Sequence, residues 1–351
     1  MRLAKYVPHV LLTAVLCVPA LGCGSSSGDD DDDSTNSMCY EDPASCVDPT
    51  GTDHKYVADS ITMPANTNQA QQLGMDLDGD PQGRPDNALG QILSTLSQQG
   101  DVGLQDSIDE NIATGDLILL FNLKATALTT ASDAGGWIYL GANPQPTPCT
   151  DPMNLATCGK HLDGNGMFDV AADSPRNAVL HGNIVAGKFT GGPGRVTLEL
   201  SLGDGDPVVL NLIGARIEVN ASDTALTSGK LAGAVTQEEL DNNVLPAIVD
   251  VMATSIAEDC AGGTPPDCCM PDSTGETLVD LFDDCSDGST TCDCQVSLDE
   301  LKNNDLISSL LSPDVDLLDA SGKFNPRDDG VKDSLSLGVG FTAVGASFDI
   351  P

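Results

Sequence analysis

The sequence is poor in aromatic and basic residues. Only 3% of its 351 residues are aromatic, with a single tryptophan at Trp137, so a hydrophobic core must consist mainly of Leu, Val, Ile and Ala. The 15 Lys and Arg residues are opposed by 53 Asp and Glu residues, which gives a formal net charge of −38. Such a chain is repelled by phosphate backbones and anionic lipid surfaces. We therefore expect no nucleic-acid partner.

Familiar catalytic motifs are also missing. The sequence has no H-E-x-x-H zinc motif, no Walker glycine loop and, beyond the Ser-rich residues 24–28, no G-x-S-x-G nucleophile elbow. Beyond the N-terminal segment its only histidines are His54, His161 and His181, and a lone histidine is more often structural than catalytic. A glycosidase needs only two carboxylates, but with 53 acidic residues the sequence cannot nominate a pair. A hydrolase acting on a glycan or an ester is therefore the alternative function.

The longest apolar run lies at the N-terminus and resembles an export signal. Arg2 and Lys5 precede an apolar run from Val7 to Leu21, which is short for a membrane span. The next residues, Gly22-Cys23, complete a segment that resembles the lipobox of bacterial lipoproteins, with Ala20 in place of the usual Leu. We predict a signal peptide over residues 1–22 and a lipidated Cys23. An ordinary cleaved signal with a fortuitous cysteine is the alternative.

An acidic segment follows this cysteine. Residues 24–37 carry no apolar side chain and include the aspartates 29–33, so they cannot bury a core. We expect a lipid anchor and flexible tether over residues 23–54 and a globular domain over residues 55–351. Several acyl chains hold a protein durably on a bilayer. The predicted location is the cell envelope, as an exported outer-membrane lipoprotein.

Ten of the 12 cysteines remain when Cys17 in the signal and Cys23 are set aside. An even number in an exported chain indicates disulfides. The spacing suggests local pairs Cys39–Cys46 and Cys149–Cys158, and the rest cluster in a predicted insertion over 260–294. The adjacent Cys268 and Cys269 must bond to different partners, but the connectivity of the cluster stays open. A zinc or iron–sulfur site is the alternative, although paired C-x-x-C spacing is lacking. The cluster consists of Cys260, Cys268, Cys269, Cys285, Cys292 and Cys294.

Hydrophobic periodicity predicts both helices and strands. Apolar residues at helical spacing over 89–96 and 104–112 predict two amphipathic helices, and the run Leu117–Leu123 predicts a buried strand. Alternation over 196–202 and 208–219 predicts a hairpin, and similar alternation over 333–350 predicts a long final strand. Because strands and helices come in runs, we predict an α+β fold. It would have a mainly antiparallel β-sheet or sandwich, packed amphipathic helices and the disulfide-rich insertion.

Two capping boxes predict where further helices begin. Thr236 is followed three residues later by Glu239, and Ser297 by Glu300. The first box precedes apolar residues at intervals of four. Pro246 is expected to kink or restart that helix.

An Asp-Gly loop near the front of the domain carries the clearest chemical signal. Three carboxylates alternate and a fourth follows, so a looped backbone can turn them toward one hard cation such as calcium. The loop resembles the D-x-D-G-D-G-x-x-D calcium loops of integrin-type and thrombospondin-type repeats, with Pro81-Gln82 inserted. It is not an EF-hand, because Pro81 and Asn87 stand where Gly and Glu are required. The predicted ligands are Asp76, Asp78, Asp80 and Asp86.

A second loop repeats this pattern less completely. Its predicted ligands are His161, Asp163, Asn165 and Asp169. Fainter copies occur at 319–325 and 329–333, and residues 83–90 echo residues 330–338. Asp, Asn and Gly also form turns without ions, so ordinary turns are the alternative for every copy.

As a whole the chain resembles uncharacterised bacterial cell-envelope lipoproteins. The resemblance rests on the lipobox, the acidic tether, the D-x-D-G-D loop and the terminal segment D-S-L-S-L-G-V-G-F-T-A-V over 333–344, and it implies no known activity. We predict a membrane-anchored, surface-exposed binding or structural module stabilised by calcium. Its protein or glycan ligand cannot be read from the sequence.

Overall fold

The computed structural model describes residues 46–80, 82–100, 104–151, 153–200, 208–265, 268–283 and 292–351. The predicted signal peptide, the lipidation site Cys23 and the predicted disulfide residues Cys39 and Cys285 lie outside these ranges. In the part of the chain that is described, no helix is both long enough and apolar enough to cross a membrane.

The described residues form nine strands and several short helices. The strands are β1 Thr52–Thr62, β2 Leu119–Ala125, β3 Thr130–Gln145, β4 Gly166–Val170, β5 Val179–Val185, β6 Lys188–Leu200, β7 Val208–Ala221, β8 Ala225–Thr236 and β9 Ser334–Ser347. The α-helices longer than one turn are α1 Thr67–Leu73, α2 Ala88–Gly100, α3 Leu104–Thr114, α4 Leu245–Asp259, α5 Thr274–Phe282, α6 Leu298–Asn303 and α7 Asp305–Leu310.

Eight of these strands close into an antiparallel barrel. Pairing runs from β1 through β2, β3, β5, β6, β7 and β8 to β9, and β9 pairs back with β1. Strand β4 stands outside this ring, where it pairs antiparallel with the end of β3 and parallel with the end of β9. The prediction of a mainly antiparallel sheet with packed helices is confirmed. The sandwich is wrong, because β1 bonds to both β2 and β9 and leaves no gap between two sheets.

Apolar side chains fill the barrel interior. The rings of Phe121 on β2 and Phe341 on β9 stack with their centroids 4.7 Å apart. A glycine on β8 makes room for the second ring, since a Cβ at Gly229 would lie 2.5 Å from it. The cavity that remains beside Phe121, Trp137 and their neighbours is about 10 Å³, which is about the space for one water molecule. The interior is therefore a packed core.

The predicted hairpin is β6–β7. Val196 pairs with Leu212 and Leu198 with Leu210, and all four side chains are buried. The alternation of apolar residues set this register because a slip by one residue would turn the apolar face to solvent.

The helices begin where the capping residues predict. The Thr236 side chain accepts a hydrogen bond from the Glu239 amide, and a π-helical turn Leu240–Val244 then leads into α4. Pro246 lies in the first turn of α4, directly after this π-helical turn. Ser297 and Glu300 form a complete capping box at the start of α6.

Disulfides fasten the region around α4 and α5. Cys260 is bonded to Cys269 and Cys268 to Cys294, so the adjacent cysteines do have different partners. Cys149 and Cys158 close a separate loop. Cys46 and Cys292 each take part in a further disulfide. The sulfurs of Cys268, Cys292 and Cys294 lie close together, but sulfurs engaged in disulfides are not the thiolates that zinc or iron requires.

Candidate metal centre

The acidic loop between α1 and α2 is held closed at its base. Met75 and Asp86 form an isolated antiparallel bridge, in which the Asp86 amide donates to the Met75 carbonyl oxygen at 2.9 Å. The buried Asn87 side chain then fastens the loop to β9, donating to the carbonyl oxygen of Gly338 and accepting from its amide. Leu77 points inward and is fully buried. The base of the loop is therefore fixed against β9.

Three carboxylates converge within this loop. One oxygen each from Asp76, Asp78 and Asp86 lies within 4.8 Å of the others. Asp86 accepts a hydrogen bond from the Leu77 amide at 2.9 Å, and Asp76 accepts from the Gly79 amide at 2.8 Å. One buried oxygen of Asp78 has no hydrogen-bond partner among the described residues. Three carboxylates that converge in this way form a candidate site for a hard cation.

The charge of the cluster is visible in Asp86. Its burial raises the pKa of the carboxyl to about 6, and the negative charges of Asp78, Asp314 and Asp76 add to that rise, while the Leu77 amide opposes it. When no cation neutralises the cluster, burial and the neighbouring negative charges thus oppose ionisation of Asp86 in the folded chain.

Asp80, the fourth predicted ligand, is not part of this group. Its carboxylate accepts from the Gln82 amide at 2.9 Å and from the Arg84 guanidinium at 3.3 Å. The pKa of Asp80 is lowered, first by the Gln82 hydrogen bond and further by Arg84. Asp80 therefore already has a cationic neighbour, which the alternating spacing in the sequence could not reveal.

The structure does not bring the second predicted loop together. A 3₁₀ turn at Lys160–Leu162 turns His161 inward, where it is fully buried edge-on against Phe168 with ring centroids 6.0 Å apart. The residues predicted to share its ion, Asp163, Asn165 and Asp169, are all exposed. Asp163 instead caps the Asn165 amide, and Asp169 accepts from the Asn143 side chain. The alternation of β4 explains this, because it places Phe168 inside and Asp169 outside.

Burial leaves the His161 ring poorly satisfied. Neither ring nitrogen makes a hydrogen bond of normal geometry to a described residue. Burial lowers the pKa of His161, and the nearby carbonyl of Ile112 offsets part of that fall. The neutral imidazole is thus the form that fits the fold.

Two aspartates that sequence reasoning did not single out, Asp314 and Asp316, lie between α7 and β9, ahead of the fainter loop copies at 319–325 and 329–333. Asp316 is only 5% exposed. One of its oxygens accepts from the Gly330 amide at 2.8 Å, and the other has no partner among the described residues. Asp314 accepts from the amide and the hydroxyl of Ser336 on β9. The available signal was the alternation Asp314-Val-Asp316, which repeats Asp76-Leu-Asp78.

Comparisons with known proteins add nothing to this description. No protein-family model matches the chain, and no similar curated protein or solved structure was found. A functional assignment therefore rests on the chemistry of the described residues.

Proposed function

We propose that the protein is a membrane-anchored, surface-exposed binding or structural module whose folded domain is stabilised by calcium. The observation that carries the proposal is the convergence of the Asp76, Asp78 and Asp86 carboxylates. Lipidation at Cys23 would place the module in the cell envelope, at the outer membrane, with the acidic segment as its tether.

The donor set favours a hard cation. The three converging side chains offer only oxygen, which is the ligand type of calcium and magnesium, whereas zinc and copper favour nitrogen and sulfur. Calcium accepts irregular arrangements of 6 to 8 oxygens, while magnesium demands near-octahedral geometry and gives up its waters reluctantly. Calcium's tolerance of irregular geometry therefore suits the three converging carboxylates better.

The need for a cation follows from the cost of its absence. Two like charges about 4 Å apart repel by roughly 1 kcal/mol even at the dielectric constant of water, and by more near a protein surface. Asp76, Asp78 and Asp86 are at such separations, in a chain of net charge −38. A bound divalent cation turns this repulsion into attraction.

The filled barrel favours a surface role over an interior one. Its residual cavity of about 10 Å³ is lined by apolar side chains and Asn122 and holds no carboxylate. A glycosidase needs two carboxylates facing a substrate across several ångströms. The hydrolase alternative has no supporting observation among the described residues, so a ligand would bind on the outer surface.

Thermal unfolding tests the calcium component directly. We expect a higher melting temperature in millimolar calcium than in excess chelator at matched ionic strength, with a smaller effect of magnesium. Saturation at about 100 times the dissociation constant should add roughly 2.7 kcal/mol, which corresponds to several degrees for a domain of this size. Asp169→Asn, in the loop that does not converge, is the matched control and should keep the full shift. Superimposable melting curves in calcium and chelator would mean that the loop is an ordinary Asp-Gly turn.

A further inference from the structure

Three cysteine sulfurs meet where the segment before α5 packs against the segment before α6. Cys268 is bonded to Cys294 across 26 residues of chain, and Cys292 belongs to a further disulfide. The Sγ atom of Cys292 lies 3.9 Å from the Sγ atom of Cys268, and all three Sγ atoms lie within 4.8 Å of one another. Two separate disulfides are therefore in non-bonded contact through these sulfurs.

The backbone between Cys292 and Cys294 is held in place beside Cys268. The carboxylate of Asp283, directly after α5, accepts hydrogen bonds from the amides of Asp293 at 3.3 Å and Cys294 at 2.9 Å. A disulfide joins its sulfurs at about 2.05 Å, so the Cys292 sulfur has to approach Cys268 by only about 2 Å to replace Cys294. One short segment thus offers Cys268 two bonding partners.

The partner that is bonded has an unfavourable backbone conformation. The φ angle of Cys294 is 64°, in the left-handed region that residues with a Cβ atom seldom adopt. The bond to Cys268 is one of the constraints on this residue. Moving that bond from Cys294 to Cys292 would remove the constraint.

Burial determines which sulfurs an external thiol can reach. Cys268 is only 3% exposed, whereas Cys292 and Cys294 are half-buried. Exchange begins when a thiolate attacks a sulfur to which it has access. An external thiol therefore has poor access to Cys268, but the Cys292 sulfur already lies beside it.

We propose that Cys268, Cys292 and Cys294 form a thiol–disulfide exchange site, which accepts electrons from a dithiol reductant and delivers a free thiol at Cys294. The dithiol first reduces the disulfide of Cys292 and is itself oxidised to a disulfide. The Cys292 thiolate then attacks the Sγ atom of Cys268, so that the Cys268–Cys292 bond forms and the Cys268–Cys294 bond breaks. Cys294 leaves as a thiolate and takes up the proton that Cys292 lost. The two electrons of the dithiol thus end on Cys294 and on the cysteine formerly bonded to Cys292.

The competing explanation is that the sulfurs only pack against each other. Reduction of the Cys292 disulfide would then leave Cys292 as a thiol and the Cys268–Cys294 bond intact. The two explanations place the new thiol on different residues, so the position of an alkyl label separates them.

The test is limited reduction of the full mature chain with dithiothreitol at about pH 8, where a thiol of pKa about 8.5 is partly ionised. The reductant is raised until label appears between residues 268 and 294, and acid quenching, alkylation and peptide mass spectrometry then locate the thiols and the cross-links. We expect label on Cys294, little on Cys292 and a new Cys268–Cys292 cross-link. Label on Cys292 with Cys294 still bonded, or label on Cys268, would overturn the exchange site. Cys149 and Cys158 are the internal control, because no third described sulfur is grouped with them, and both should be labelled equally.

The variant Cys292→Ser tests the attacking sulfur itself. Its Cys268–Cys294 bond should survive at reductant concentrations that release Cys294 in the wild type. Cys158→Ser is the matched control, because it also leaves one cysteine without its partner, and it should release Cys294 as the wild type does. Equal release of Cys294 in Cys292→Ser and in the wild type would mean that the reductant attacks the Cys268–Cys294 bond directly, and the exchange site would be refuted.

Discussion

The buried His161 should make the protein sensitive to mild acid, and this can be measured at a single position. The side chain is fully buried, and burial lowers its pKa below the usual value of 6.5. In the unfolded chain the same imidazole takes up a proton as the pH falls through about 6.5. Below that pH the unfolded state binds a proton that the folded state does not bind, so the free energy of unfolding falls.

The magnitude follows from linkage. Each pH unit between the unfolded and the folded pKa removes up to about 1.4 kcal/mol from the free energy of unfolding for one group. Stability from this residue is complete above about pH 6.5 and is lost as the pH falls toward the folded pKa. His161→Leu has no such proton uptake. It also removes a poorly satisfied polar ring, whose burial costs about 1 to 3 kcal/mol.

Chemical denaturation of wild type and His161→Leu at several pH values between 5 and 8 is the assay. The difference between the two proteins, rather than either curve, isolates His161, because Asp86 and Asp316 have raised pKa values and respond to acid in the opposite direction. We expect the variant to gain on the wild type as the pH falls. His54→Gln serves as the control, since His54 is only partly buried beside Asp223. A difference that is constant across the pH range would refute the reasoning, because it would mean that the folded protein accepts the proton as easily as the unfolded chain.

Two further predictions concern the covalent chemistry of the chain. Cys23→Ser should release the protein from detergent-phase partitioning, because the acyl chains on Cys23 would be its membrane attachment; equal partitioning of both forms would contradict the lipobox interpretation. Alkylation without reduction should leave Cys149, Cys158, Cys260, Cys268, Cys269 and Cys294 unlabelled, since all six are in disulfides, and mass spectrometry of the native and reduced protein checks this.

Local periodicity predicted individual strands and helices well, but it did not predict that the strands close into a barrel. The alternation around Val196 and Leu198 settled a register, and apolar residues every four positions identified the helix that contains Met252. A sandwich and a barrel, however, ask for the same alternation on every strand. The difference lies in the pairing of β1 with β9, which joins residues at opposite ends of the domain and leaves no local mark.

The candidate site divides in the same way. The acidic loop between α1 and α2 could be found because Asp76, Asp78 and Asp86 lie within one short segment. The burial of Asp316 could not be predicted, because it depends on the packing of residues that are distant in the sequence. His161 was misplaced for another reason, since spacing along a chain does not tell on which side of a short turn a side chain lies.

The pairing of β1 with β9 also limits when the domain can complete its folding. Tyr56 lies opposite Gly345 and Thr62 opposite Gly340, so the ring stays open until almost the whole described chain has been synthesised. Until then β1 and β8 each present a free edge of unpaired backbone groups, which other strands can join. Contacts of such long sequence separation form late and slowly. A chain that stops short of β9 therefore loses one strand and the closure of the barrel. It also keeps two exposed strand edges that can pair with other chains.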